Sequence, residues 1–85
     1  MTKQEFVEAC KGVGVYFNPL TLRIYRNFTY SHQIAYATVD FEGNIQRVVL
    51  MDAEVDHPSH KALRTLIMVH EIKKDVSTDW GRQMG

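Results

Sequence analysis

The side chains with the most chemical reach in these 85 residues are four histidines, one cysteine and a short acidic run, and spacing decides what each could do. His57 and His60 stand three apart, so one helical turn could bring both to a metal ion, which would still need a third ligand. His70 lies ten residues beyond His60, about 15 Å along a helix, and cannot complete that set. Capping and surface roles are expected for His57 and His60, and a partly buried, hydrogen-bonded role for His70. His70-Glu71-Ile72-Lys73-Lys74 opens like the zinc-protease helix motif, but Lys74 stands where the second histidine belongs. Asp52, Glu54 and Asp56 have the alternate spacing of a calcium loop, yet His57 takes the place of its glycine and Leu63 that of its bidentate glutamate. No metal and no cofactor are therefore expected.

Nucleophilic chemistry fares no better. Ser31-His32 are neighbours in sequence, and neighbouring residues in a strand or turn usually point apart. Cys10 falls on an apolar helical stripe and reads as a packed side chain rather than a reactive thiol. Gly12-Val13-Gly14 lacks the third glycine of a dinucleotide loop, since that position is Phe17. With no nucleophile beside a base and no carboxylate pair in split environments, no catalytic residue is assigned and the chain is read as a non-enzyme.

What remains are surfaces. Residues 10–39 carry Lys11, Arg23 and Arg26 and no acid, interleaved with Tyr16, Phe17, Tyr25, Phe28, Tyr30 and Tyr36. Arg23, Tyr25, Arg26 and Tyr36 accordingly make a candidate stacking platform for single-stranded nucleic acid. The expected strand register sets Arg23 opposite Asp40, which would cancel the charge such a platform needs, so this reading ranks second. The leading candidates for contact with a protein partner are Asp52, Glu54 and Asp56 as an acidic patch, Met68 on a broad apolar helix face, and Trp80. Tryptophan is costly to leave in water and is enriched where interfaces draw most of their energy.

Composition sets the frame for these surfaces. The length implies one domain, here placed at residues 1–76 with a tail over 77–85, burying about 60–65% of its unfolded surface. An apolar fraction of 45% and a charged fraction of 24% fit a folded domain. Ten basic and ten acidic residues cancel, so no global field draws the chain to nucleic acid or an anionic membrane. One cysteine permits no internal disulfide, Met1–Glu5 do not read as a leader, and no apolar run is long enough to span a bilayer. A cytoplasmic protein without membrane contact is the expectation.

The positioning elements follow from periodicity. Thr2 and Glu5 form a capping box before a helix over Lys3–Lys11, which Gly12 stops. Leu20–Tyr30 alternates as one long strand, with Arg26 as the misfit on its apolar face. Gln33–Val39 and Ile45–Met51 flank Asp40-Phe41-Glu42-Gly43-Asn44, which reads as a three-residue hairpin loop with Gly43 at positive φ. In the regular register Ala35, Ala37, Val39, Ile45, Val49 and Met51 share one face, and Ile34, Tyr36, Val48 and Leu50 the other. Pro58 opens a last helix, capped by Asp56 or Ser59 and running to about Lys74.

The expected architecture is α+β: an N-terminal helix, a three-stranded antiparallel meander and a long C-terminal helix across it. Apolar residues on both sheet faces and a wide apolar arc on the last helix point to a homodimer or larger assembly. The function expected is a small binding or regulatory protein that sequesters or blocks a partner, of a size common among accessory proteins of phages and other mobile elements. The alternatives are a single-stranded nucleic-acid binder, and an oligomeric small-ligand binder or enzyme whose site forms between subunits.

Overall fold

Helix α1, Lys3–Gly12, begins where the capping box places it. Glu5 N–H donates to Thr2 Oγ1 at 3.1 Å, and Thr2 N–H donates to Glu5 Oε1 at 2.8 Å. That bond from the Thr2 backbone holds the Glu5 carboxyl below the usual carboxylate range. The computed structural model describes residues 1–51 and 57–77. After α1 come strands β1 (Tyr16–Asn18), β2 (Arg23–Tyr25), β3 (Gln33–Val39) and β4 (Ile45–Met51), then helix α2 (Pro58–Val69) and strand β5 (Lys73–Ser77). The strands form one sheet in sequence order, antiparallel from β1 to β4, with β5 added parallel to β4 through the α2 crossover.

The three-stranded meander with a long C-terminal helix is thus replaced by a five-stranded mixed sheet with a helix of 12 residues at 58–69. The end of α2 explains the difference. Glu71 adopts φ +56°, its N–H donates to the Met68 carbonyl, and Ile72 N–H donates to the Ile67 carbonyl. This is a Schellman stop with glutamate where glycine is usual, and Ile72 then turns into β5 instead of continuing the helix. At the other end His57, not Asp56 or Ser59, is the N-cap, its Nδ1 accepting from Ser59 N–H at 3.1 Å.

Two bulges set the core. Tyr25 pairs with Gln33 and Ile24 with Ala35, so Ile34 is an extra residue in β3, and both Ile34 and Ala35 are buried. Thr38 pairs with Arg47 and Val39 with Ile45, so Gln46 is extra in β4. A bulge of one residue exchanges faces beyond it. Val48 and Leu50 therefore join Ala35 and Ala37 on the core side, while Val49 and Met51 turn away, which corrects the regular register. Phe6, Cys10, Leu63, Leu66 and Ile67 bring both helices to that same side, and Phe6 meets Phe17 edge-on at 4.9 Å. His60 is buried among them, whereas His70 is exposed, the reverse of the roles expected for those two residues.

The expected strand over 20–30 contracts to Arg23–Tyr25. Leu22, Tyr30 and His32 all lie at positive φ, which a continuous strand does not accommodate, so Arg26 belongs to a loop. The Asp40 hairpin forms as read, Asp40 Oδ1 accepting from Glu42 and Asn44 N–H with Gly43 at φ +86°.

Candidate functional site

Register places two neighbouring rows of residues on opposite faces of the sheet. One runs Phe17, Ile24, Ala35, Leu50, Val76 and faces the helices. The next runs Asn18, Arg23, Tyr36, Val49, Asp75 across all five strands and faces away from them. Beside this outward row, Tyr16 pairs with Tyr25, which pairs with Gln33. Val49 is 9% exposed and lies outside the core cluster, which confirms that it is covered on the outward side. Arg47 and Asp75 form a cross-strand ion pair on the same face.

The β2–β3 loop adds rings to this surface. Asn27 gathers the loop around one oxygen: its Oδ1 accepts from Ser31 N–H at 3.0 Å, Ser31 Oγ at 2.9 Å and Thr29 Oγ1 at 2.9 Å. Arg26 N–H donates to the His32 carbonyl and closes the neck. Phe28, 74% exposed, then meets the Tyr16 ring at 6.5 Å, and Tyr30, 49% exposed, meets Tyr25 at 5.4 Å, both edge to face. The chain has four tyrosines, and Tyr16, Tyr25, Tyr30 and Tyr36 all lie on or against the face opposite both helices.

Of the residues singled out in the sequence, Arg23, Tyr25 and Tyr36 come together here, with Arg26 at the neck of the adjoining loop. Arg23 stands opposite Tyr36 and not Asp40, so the neutralising neighbour expected from the longer strand is absent from its pairing. Tyr16, Phe28 and Tyr30 belong with them, and their signal was already present in the acid-free aromatic stretch. Met68 lies elsewhere, exposed on α2 together with Val69, while Leu63, Leu66 and Ile67 of the same apolar arc are buried. Asp52, Glu54, Asp56 and Trp80 lie outside the described residues.

Chemically, this face offers rings, guanidinium groups and amides. The Cys10 thiol is buried beneath α1, and burial pushes it up to about 12, so it is protonated at neutral pH. Among the described residues no group of three or more His, Cys, Asp or Glu is placed to hold a metal ion. Among them, too, no helix is long and apolar enough to cross a membrane. No family model, curated protein or solved structure matches the chain.

Proposed function

We propose that this is a non-enzymatic binding protein that sequesters or blocks a protein partner, and that the partner docks on the sheet face opposite both helices. The observation carrying this reading is the collection of all four tyrosines, with Phe28 and Arg23, on the side of the sheet opposite both helices. Tyrosine, phenylalanine and arginine supply large contact areas at low conformational cost and are favoured at interface centres. The rings meet one another edge-on instead of presenting parallel faces, which suits a folded protein surface better than a run of stacked bases. Affinity capture from extract tests it: Tyr25→Ala with Phe28→Ser abolishes retention of whatever the wild type holds, without loss of fold by circular dichroism.

A second reading takes the same face as a platform for single-stranded nucleic acid. Arg23 beside Tyr36 supports it, because a cation next to a ring is what such platforms use. Fluorescence anisotropy with labelled oligothymidine separates the two. Phosphate contacts lose affinity steeply between low and physiological salt, whereas an apolar protein interface does not.

A further inference from the structure

The sheet ends at β5, and the surface beside that edge differs in chemistry from the aromatic face. A groove of about 480 Å³ opens between α2 and β5. Ile67, Met68 and Ile72 supply its apolar lining, and Lys61, Arg64 and Lys74 its cations, with no acid among the described residues that line it. Met68 is 72% exposed, and Val76, next but one to Lys74 along β5, is exposed as well. Lys61 and Lys74 have no ion-pair partner among the described residues. β5 pairs with β4 on one side and, among the described residues, is the last strand of the sheet on the other, so its outer edge carries backbone donors and acceptors for a further strand.

We propose that β5 and this groove form a second docking site, one that takes an extended acidic peptide segment of a partner as a sixth strand. The segment's alternate side chains would fall into the groove, apolar ones on Ile67 and Ile72 and carboxylates beside Lys61 and Lys74, while its backbone pairs with β5. Charge selects the occupant. A second copy of this chain would bring its own lysines to an edge that already carries Lys73 and Lys74, whereas a strand bearing glutamate or aspartate meets Lys61, Arg64 and Lys74 on the groove side, Asp75 of β5 being turned to the other face and paired with Arg47. The groove is partly open to solvent, which suits a chain segment better than an enclosed small molecule. The groove shares no residue with the tyrosines, Phe28 and Arg23 of the aromatic face, so each stands or falls alone.

The test uses the full chain and a synthetic peptide of alternating glutamate and valine, about ten residues long, enough to span β5. Binding by anisotropy, with slowed amide exchange over residues 73–77, is the expected result. Lys61→Glu with Lys74→Glu weakens it at least about tenfold, and the lysine–valine counterpart then binds that variant instead. Methylating alternate peptide nitrogens abolishes binding, which an unpaired electrostatic contact would survive. Absence of binding, equal binding by the double variant, or retention by the methylated peptide overturns the proposal. So does self-association of the free protein that masks the β5 amides, or competition for the groove by oleate without any effect of the peptide.

Discussion

Ile24 and Arg23 are neighbours in one strand, yet they belong to rows with opposite physical purposes. The inward row pairs Ile24 with Ala35, and with Ala37 nearby the small residues of β3 let the helices approach closely. Along the same strand Tyr36, the largest side chain of β3, points outward, while Ile34 joins the core. A face that merely met water would carry short polar groups where Tyr16, Tyr25 and Tyr36 stand. The comparison supports the proposal that the outward face is a contact surface, while the inward face is built for packing.

The sharpest way to break this contrast is to substitute the neighbours separately. Ile24→Ala, at a fully buried position, should cost about 2–5 kcal/mol, whereas Arg23→Ala should stay within about 0.5 kcal/mol, both read from urea midpoints. Equal costs would erase the distinction between the rows. Asn27→Ala comes next, because its side chain holds the loop that presents Phe28 and Tyr30. A loss of about 1–2 kcal/mol is expected, with faster exchange of the Ser31 amide, and partner capture should fall even though Asn27 need not touch the partner. Glu71→Gly sharpens the account of β5: relieving a left-handed glutamate should stabilise the protein by about 0.5–1 kcal/mol without altering either face.

The smallest effect concerns the α1 cap, remote from the outward face. The Glu5 carboxyl titrates lower when folded than when unfolded, so its contribution is present above its ordinary value of 4.5 and disappears as pH falls through the folded value. Wild type should therefore lose slightly more stability than Glu5→Gln between pH 6 and pH 3, by urea denaturation at each pH. An identical decline in both proteins would remove this carboxylate from the account.

Much of the fold was legible in local chemistry. The Thr2–Glu5 box, the Asp40–Gly43 turn and the two strands around it announce themselves through residues whose side chains complete the backbone geometry. The failures share a different cause. Glu71 ends α2 in a conformation that glycine normally marks, and Leu22 and Tyr30 break the Leu20–Tyr30 alternation while keeping its apolar and aromatic character. Register was misread because bulges at Ile34 and Gln46 carry no sequence signature, and each reverses the faces beyond it. The aromatic platform was visible as composition, but its membership depended on pairing Arg23 with Tyr36, which is a long-range fact.

Tyrosine footprinting tests the central claim most directly, because every tyrosine in the chain reports on the outward face. The protein is labelled by hydroxyl radicals alone and after capture of its partner, and modification is quantified at Tyr16, Tyr25, Tyr30 and Tyr36. The account predicts that labelling of Tyr25 and Tyr30 falls severalfold on partner binding while Met68 on α2 is unchanged. Undiminished labelling of these tyrosines in a complex that forms would contradict it, and place the binding surface elsewhere on the molecule.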